Sequence, residues 1–283
     1  IIIIWYLAQR FSKQQEEIAV YDFQVLTQNQ WFPRAFNDWR FVLLVMIGSL
    51  AIFPDLGNAT ILFLVALLMY SISGIAHRWF ATILGVLTSL SFVSLTTIKL
   101  VGVDKFSKIP VFGYVAKRFS AFFNPFDDVA GAGHQLANSY YAMVNGGWFG
   151  LGLGNSIEKR GYLPEAHTDF VFSIVIEEFG FVGASLILAL LFFLILRIIL
   201  VGVRAKDPFN SMVAIGIGGM ILIQVFVNIG GISGLIPSTG VTFPFLSQGG
   251  NSLLVLSVAI AFVLNIDASE KRAKLYREYE AQL

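Results

Sequence analysis

Long apolar runs separated by short polar segments dominate the sequence. A helix needs about 20 predominantly apolar residues to cross a bilayer. The runs at 1–8, 41–53, 59–76, 81–103, 181–203, 211–236 and 249–266 therefore predict seven transmembrane helices, the first of them truncated. The second run is short and ends at Pro54, because proline stops a helix. We expect an all-α polytopic membrane protein, a bundle of transmembrane helices.

Composition supports this class and excludes some chemistry. Charged residues make up 13% of the chain, about half the share of an ordinary soluble domain. The chain has no cysteine, so disulfides, thiol catalysis and thiolate metal sites are excluded. The net charge of +1 does not by itself indicate any partner, and we expect no nucleic acid.

The distribution of Lys and Arg predicts the topology. Basic residues cluster between residues 10 and 40, at 204–206 and in the tail at 267–283, which alternating spans place on one side. The positive-inside rule assigns that side to the cytoplasm. We expect a single membrane domain over 1–283, with a large extracytoplasmic loop at 104–169 and a cytoplasmic tail at 267–283. The first run has no basic segment or cleavage site before it, so we expect further N-terminal spans upstream.

The long outer loop is predicted to have structure of its own. Apolar residues of segment 111–123 fall largely on one helical face, which predicts an amphipathic helix in the interface. The glycine-rich segment 146–154 lacks the Gly-Lys-Ser/Thr of a phosphate loop. It predicts tight turns and close helix packing instead.

A cluster of ionisable and polar groups, Glu165, His167, Thr168 and Asp169, precedes an apolar run. Charges are costly at a membrane boundary, so such a cluster is a functional candidate. Asp169 is the candidate catalytic residue of this cluster. The alternative is structural, because Thr168 or Asp169 would also serve as the N-cap of the following helix.

Three further carboxylates, Asp55, Glu177 and Glu178, lie near or within predicted spans. Ser173 and Glu177 follow Asp169 at intervals of four residues, which places all three on one helix face. Glu177 and Glu178 must face the protein interior or a wet cavity. They are interpreted either as a polar contact with another helix or as a proton relay.

Outer cations and a final polar turn complete the candidate site. Arg118 and Lys159 would contact either lipid headgroups or a phosphorylated lipid substrate, since guanidinium groups suit phosphate oxygens. The segment 240–252 is rich in Gly, Ser and amides, which predicts a non-helical turn beside a span. Its Ser247, Gln248 and Gly249 are expected to line the same outer cavity.

Five motifs resemble the SEDS family of bacterial cell-wall proteins (shape, elongation, division and sporulation). They lie at 54–57, 150–156, 163–170, 177–180 and 237–252, and so cover nearly the whole chain. Pro164-Glu165-Ala166-His167-Thr168-Asp169-Phe170 looks most like the division member, with the elongation member as the alternative. The chain departs from the family where Gln248 and Asn251 replace the usual Tyr and Ser, and where Glu158 replaces Gln.

The resemblance implies a peptidoglycan glycosyltransferase with ten spans, of which this chain would contain part of the fourth and the last six. It implies that Asp169 takes the proton from the acceptor hydroxyl as lipid II is polymerised, with inversion, at the outer face of the membrane. Charge on the pyrophosphate would be met by Lys159, Arg118 or a divalent cation (Mg²⁺ or Mn²⁺), whose ligands the sequence leaves unknown.

The resemblance also implies partners and a location. The expected partners are lipid II and its undecaprenyl-pyrophosphate-linked glycan, a class B penicillin-binding protein, other divisome proteins and membrane lipids. The expected location is the bacterial cytoplasmic membrane at the division septum, with the C-terminus in the cytoplasm. Two alternatives stay open, a flippase that transports lipid II using Asp55, Glu177 and Glu178, and a non-catalytic divisome scaffold.

Overall fold

In the part of the chain that the computed structural model describes, all regular secondary structure is helical. It describes residues 1–13, 56–73, 113–129, 131, 133–280 and 282, and the single positions 48, 85, 86, 88, 89, 93, 96, 97, 100 and 102. Seven α-helices and a 3₁₀ turn at Glu158–Arg160 occur in these parts. The helices are α1 Ile2–Lys13, α2 Leu56–Ile72, α3 Gly113–Phe123, α4 His134–Gly146, α5 Val171–Arg204, α6 Pro208–Ile232 and α7 Gly250–Glu280.

Among the described residues, α5, α6 and α7 are long and apolar enough to cross a membrane. They correspond to the predicted runs 181–203, 211–236 and 249–266, and α2 is a shorter apolar helix that overlaps the predicted run 59–76. Large apolar side chains of α5 are exposed along its length, for example Leu186, Phe193 and Leu196. This surface suits hydrocarbon rather than water. Asp55 lies outside the described residues, as do the predicted runs 41–53 and 81–103 apart from the single positions given above.

Helix α7 continues well beyond its apolar part. The sequence pattern separated a span ending at 266 from a tail at 267–283, whereas the helix runs without a break to Glu280. The added residues are strong helix formers such as Ala, Glu, Lys and Arg. Two ion pairs at i,i+4 spacing, Lys271–Asp267 and Lys274–Glu278, support the extension.

The chain divides into two compact units, and each is described by itself. Unit 1 comprises residues 1–80, 192–223 and 254–283. Glycines of α6 allow neighbouring helices to approach closely, as small residues do between membrane helices. A Cβ at Gly216 would stand 2.6 Å from Met69 Sδ of α2 and 2.7 Å from Ile4 Cγ2 of α1. The aromatic pair Phe11 and Tyr70 also joins α1 to α2.

Unit 2 comprises residues 81–191 and 224–253 and contains the predicted outer loop. The predicted amphipathic helix at 111–123 is present as α3. Helix α4 was not predicted, because its Asn, Ser and Gly residues obscure the apolar face. Ser139 of α4 is fully buried and its hydroxyl lies 2.7 Å from Ser173 Oγ of α5 and 3.2 Å from the Ile232 carbonyl. This buried hydroxyl pair joins α4 to α5 within unit 2.

Helix α5 is kinked at Gly180, where the backbone adopts φ 71° and ψ 178°. The kink removes two helical hydrogen bonds, and the glycine-rich segment 146–154 replaces them. Phe181 N and Val182 N donate to the carbonyls of Gly147 and Trp148 at 2.9 and 3.1 Å. In return, Leu151 N and Gly152 N donate to the freed carbonyls of Glu177 and Glu178, each at 2.9 Å.

This exchange requires backbones in direct contact. A Cβ at Gly150 would stand 2.2 Å from the Glu178 carbonyl oxygen, and one at Gly180 would stand 2.4 Å from Gly150 N. Real Cβ atoms do not approach so closely, so only glycine fits both positions. The predicted role of segment 146–154 in close packing is confirmed.

Candidate functional site

Asp169 lies two residues before the start of α5, and its backbone is held from two directions. The Asn228 amide of α6 donates to the Asp169 carbonyl and to the Val241 carbonyl, both at 2.6 Å. On the other side, Ser247 Oγ donates to the Thr168 carbonyl at 2.7 Å, and Gln248 N donates to the His167 carbonyl at 2.8 Å. The segment 167–169 is thereby fixed between α6 and the turn at 238–249.

The turn at 238–249 is itself closed by local contacts. Ser247 Oγ accepts a hydrogen bond from Phe243 N at 2.7 Å, and the Phe243 ring stacks on Phe172 of α5 with ring centroids 4.7 Å apart. Phe245, which lies between Phe243 and Ser247 in the chain, adopts a positive φ of 64°, a strained conformation for a bulky residue. The predicted non-helical turn is present, and its Ser247 positions the backbone of the acidic cluster.

The Asp169 carboxylate faces one cation and one anion. The Arg118 guanidinium of α3 donates to the Ser238 carbonyl, which places it beside the turn. Gly240 lies next to both groups, since a Cβ there would stand 3.0 Å from Arg118 Nη2 and 3.3 Å from Asp169 Oδ2. Burial and the Glu165 carboxylate raise the pKa of Asp169 above that of an ordinary aspartate, and Arg118 acts in the opposite direction. A higher pKa makes Asp169 the stronger base.

The capping interpretation of Thr168 and Asp169 is not supported by the hydrogen bonds. The Phe170 carbonyl accepts from Ser173 N and Ile174 N, so the helical bonding begins one residue later. Thr168 Oγ1 donates to Glu165 Oε2 at 2.6 Å. In the described part of the chain, no backbone N–H of the first turn donates to the Asp169 carboxylate. Asp169 is therefore not occupied by a helix-capping role.

Glu177 is fully buried and accepts four hydrogen bonds from the segment around Ser156 and from α4. The donors are Ser156 Oγ, Ile157 N at 3.1 Å, Glu158 N at 3.4 Å and Asn145 Nδ2 at 3.4 Å. A buried carboxylate satisfied in this way fixes structure. Of the two interpretations left open for Glu177, the contacts match the polar contact with another segment.

Glu178 forms an ion pair with Lys159. The side chain of Glu178 is 9% exposed and that of Lys159 is 28% exposed, so the pair is largely removed from water. Lys159 N also donates to Ser156 Oγ at 3.1 Å. Lys159 is therefore engaged in contacts within the protein, at the 3₁₀ turn Glu158–Arg160. Its contact with substrate stays a prediction.

Glu158 is a second carboxyl group beside Glu177. It is 7% exposed, and its Oε2 has no hydrogen-bond partner among the described residues. Burial first and the Glu177 charge second raise the pKa of Glu158. This is the position where the resembled family has Gln, a neutral side chain that would not meet this repulsion.

The predicted substrate-binding residues of segment 165–168 and of the turn at 238–249 differ in exposure. Glu165, His167 and Gln248 are exposed, whereas Thr168, Ser247 and Gly249 are partly buried. On the inner side, a cavity of about 10 Å³ is lined by Asp169, Asn228 and residues 238–241. Such a cavity holds about one water molecule. The cavity is therefore too small to hold a sugar ring.

Metal binding at this site would depend on the substrate. No group of three His, Asp or Glu side chains in the described part of the chain is arranged to hold a metal ion. Mg²⁺ is often bound by one or two carboxylates together with substrate phosphates. Asp169 and Glu165, which influence each other electrostatically, are the carboxylates that fit such a shared site.

Two positioning residues, Asn228 and Gly240, were missed at the sequence level. Asn228 is 4% exposed within an otherwise apolar helix. An amide side chain within a predicted membrane span is the sequence feature that could have identified it. Gly240 belongs to the predicted turn in segment 240–252, but its proximity to Arg118 and Asp169 depends on the tertiary fold.

Comparison with known proteins identifies the family. The cell cycle protein family named for FtsW, RodA and SpoVE matches residues 1–272. The chain belongs to this family. The predicted family is thus confirmed, and with α5, α6 and α7 it establishes a membrane protein.

Individual members of the family are similar over nearly the whole chain. The probable peptidoglycan glycosyltransferase FtsW of Lactococcus lactis is 52% identical over 97% of this chain and 66% of the relative. The protein of the same name from Enterococcus hirae is 38% identical over 95% of this chain and 69% of the relative. The chain thus spans about two thirds of the length of these relatives. The resemblance to the division member is confirmed.

A solved structure supports the fold. One chain of a peptidoglycan synthase complex, described for its coordination of polymerization and crosslinking, matches with a TM-score of 0.65 and 24% identity. The match covers 94% of this chain and 68% of that chain. It confirms the predicted all-α fold.

Proposed function

We propose that this protein is a peptidoglycan glycosyltransferase that polymerises lipid II at the outer face of the bacterial cytoplasmic membrane during cell division. The names of its relatives support the activity, since the similar proteins of L. lactis and E. hirae are probable peptidoglycan glycosyltransferases. The single structural observation that carries the proposal is the carboxylate of Asp169. It is partly buried, next to Arg118, held by its backbone on two sides and free of any capping contact.

In the proposed step, Asp169 accepts the proton of the acceptor sugar hydroxyl. The hydroxyl oxygen forms a bond to the anomeric carbon of the donor, the bond from that carbon to the pyrophosphate oxygen breaks, and undecaprenyl pyrophosphate leaves with the electron pair. Attack opposite to the leaving group inverts the anomeric centre. A general base contributes about 10² to 10⁴ in rate. Pyrophosphate is a good leaving group, so one carboxyl group suffices, in contrast to the two of a glycosidase.

Arg118 is the cation that we assign to the developing negative charge. Its guanidinium lies beside Gly240 and Asp169, and a guanidinium binds phosphate oxygens through two parallel hydrogen bonds. Lys159 is a weaker candidate because it is paired with Glu178. The exposed Glu165, His167 and Gln248 would contact the sugars, while Thr168, Ser247 and Gly249 would hold the backbone of the site.

Transport of lipid II is the alternative, and the contacts of the intramembrane carboxylates weigh against it. A coupled transporter needs carboxylates that change partner or protonation state during the cycle. Glu177 is saturated by four hydrogen bonds, and Glu178 is paired with Lys159. Both are thereby engaged in local structure. Asp55, the third carboxylate of this alternative, lies outside the described residues.

The test is polymerisation of lipid II by the purified membrane protein in detergent and in proteoliposomes. We expect glycan strands from the wild-type protein, and a rate reduced about 10² to 10⁴-fold by Asp169→Asn. Asp127→Asn is the matched control, because Asp127 is an exposed aspartate of the same outer segment and should leave the rate unchanged.

Each alternative makes a different prediction in this experiment. Movement of lipid II across proteoliposomes without any glycan product would favour the flippase. A folded Asp169→Asn protein that polymerises at the wild-type rate would remove the base role. A protein with neither activity, whose Asp169→Asn variant still supports division, would favour the scaffold.

We also propose that the protein acts together with a class B penicillin-binding protein and other divisome proteins at the septum. The support is that a chain of similar fold comes from a complex that coordinates polymerization and crosslinking. By the positive-inside rule, we expect the acidic cluster outside and the end of α7 in the cytoplasm. Co-reconstitution with the penicillin-binding protein of the same organism should raise the polymerisation rate. Protease protection of a tag after residue 283 in sealed right-side-out vesicles tests the orientation, because digestion of that tag would reverse it.

A further inference from the structure

A basic cleft in unit 1 has no role in the chemistry described above. It lies between the C-terminal part of α5 and the charged extension of α7 and has a volume of about 290 Å³. From α5 it is lined by residues 197, 200, 201 and 204, and from α7 by residues 267, 270, 271, 274 and 277. Both sets recur every three or four residues. Each helix therefore presents one continuous face to the cleft.

The charge of the cleft is strongly positive. Two carboxylates, Asp267 and Glu270, share the lining with six cations, which are Arg197, Arg204, Lys206, Lys271, Lys274 and Arg277. Asp267 pairs with Lys271 at 2.6 Å. Within the described residues, Arg197, Arg204 and Lys206 have no carboxylate oxygen within 4.0 Å.

The second carboxylate, that of Glu270, accepts hydrogen bonds from the start of α6 and the turn before it. Glu270 accepts hydrogen bonds from Lys206 N and Asp207 N, at 3.3 and 3.4 Å, and from Asn210 Nδ2 at 3.5 Å. These groups lie at the start of α6, where Asp207 Oδ2 also accepts from Asn210 N at 3.1 Å. Glu270 thus stabilises the turn between α5 and α6, and among the described residues it forms no ion pair with Arg197 or Arg204.

The apolar part of the lining indicates what kind of anion fits. Leu200, Val201 and Ala205 stand beside the cations, at the level where the apolar part of α5 ends. A lipid phosphate at a membrane surface has charge on one side and acyl chains on the other, which matches this combination. Basic pockets between transmembrane helices bind anionic lipid headgroups for this reason. We infer that the cleft binds the phosphodiester headgroup of an anionic phospholipid, with Arg197 and Arg204 as its main phosphate ligands.

The experiment measures stabilisation by lipids of defined headgroup. The purified protein, in neutral detergent and phosphate-free buffer, is titrated with short-chain phosphatidylglycerol while its thermal unfolding is followed. Phosphatidylcholine of the same chain length tests the headgroup charge, and sodium phosphate tests a soluble anion. We expect phosphatidylglycerol to raise the unfolding temperature, and the concentration for half of this effect to increase about tenfold in Arg197→Gln/Arg204→Gln.

Arg272→Gln is the matched control, because Arg272 lies on α7 outside the lining and should leave the titration unchanged. If Arg197→Gln/Arg204→Gln does not fold, Lys274→Gln/Arg277→Gln tests the same site from α7. An equal effect of phosphatidylcholine, or a wild-type response of the folded double variants, would overturn the inference. An equal effect of sodium phosphate would assign the cleft to soluble phosphate and overturn the lipid assignment.

Discussion

The side-chain amide of Asn228 donates to the main-chain carbonyl of Asp169 at 2.6 Å. The same nitrogen donates to the Val241 carbonyl at 2.6 Å, so one buried amide joins the acidic cluster to the turn that follows α6. Asn228 belongs to α6, whereas Asp169 precedes α5. The position of the proposed base therefore depends on a residue far from it in sequence.

Replacement of Asn228 by Ala should impair both stability and activity. Two buried carbonyl groups would lose their donor, at a cost of about 1–3 kcal/mol each if they remain unsatisfied. A shift of Asp169 by about 1 Å would lower the polymerisation rate about a hundredfold. Thermal unfolding and lipid II polymerisation measure the two effects.

Gln224→Leu is the control for the Asn228 variant. Gln224 lies one turn earlier in α6, and its buried Oε1 has no partner among the described residues. This variant should be neutral or slightly stabilised and fully active. Wild-type activity of Asn228→Ala would show that Asp169 is positioned without the amide.

The pH dependence of polymerisation should report the surroundings of Asp169. A general base acts when deprotonated, so the rate at low substrate concentration should fall toward acid with a midpoint at the pKa of the free enzyme's base. Because burial and Glu165 raise this pKa, the midpoint should lie above that of an ordinary aspartate. Arg118→Gln should move it to higher pH, since a nearby cation is lost, and Glu165→Gln should move it to lower pH.

The opposite signs of these two shifts make the prediction specific to Asp169. Arg160→Gln removes an exposed cation of the same loop and should leave the midpoint in place. Movement of the midpoint in the same direction by Arg118→Gln and Glu165→Gln would exclude Asp169 as the titrating group.

Gly240→Ala should lower the polymerisation rate about tenfold to a hundredfold. The new Cβ would stand 3.0 Å from Arg118 Nη2 and 3.3 Å from Asp169 Oδ2, and the φ of 76° is unfavourable for alanine. Single-turnover rates on lipid II are the measurement. Gly250→Ala is the control, because a Cβ there meets nothing within 4 Å and its φ is not positive. Equal rates for the two variants would show that Arg118 and Asp169 adjust freely.

Glu158→Gln should stabilise the protein by about 1 kcal/mol at neutral pH. The raised pKa of Glu158 means that the folded state favours the protonated form. Its contribution is fully present below the ordinary value of 4.5 and is lost as the pH rises through the folded-state value. The variant should therefore match the wild type in acid and exceed it at neutral pH.

Thermal unfolding at several pH values tests this prediction. Glu178→Gln is the contrasting variant, because it removes the partner of Lys159 and should destabilise the protein. A Glu158→Gln protein that is less stable than the wild type at neutral pH would indicate that the charged carboxylate has a partner.

Much of the helical fold could be predicted from the sequence, because membrane spans are long and apolar. The runs at 181–203, 211–236 and 249–266 correspond to α5, α6 and α7. Helix α4 was missed because its buried face contains Asn138, Ser139 and Ala residues, which give a weak apolar pattern. Asn138 and Ser139 form their hydrogen bonds with partners that are distant in the sequence. The straight extension of α7 was missed because polarity was taken as the end of the helix.

The candidate site was predictable in composition but not in arrangement. Asp169 and Arg118 were selected from charge at a membrane boundary, and the structure places Gly240 next to both. Periodicity placed Glu177 on a helix face with Asp169, yet it could not reveal the four donors that surround it. The partner of Lys159 depends on a loop returning to α5, for which spacing gives no signal.

The kink at Gly180 has a mechanical consequence for the proposed base. The helical segment that begins at Val171 completes its backbone hydrogen bonds with segment 146–154, through Leu151, Gly152, Phe181 and Val182. Its register is therefore set by the glycine-rich segment 146–154 as well as by its own helix. A ligand that displaces segment 146–154 would tilt the part of α5 before Gly180 and strain the contacts that Asn228 and Ser247 make with the backbone of Asp169 and Thr168. Control of catalysis would then require movement of only the part of α5 that precedes Gly180.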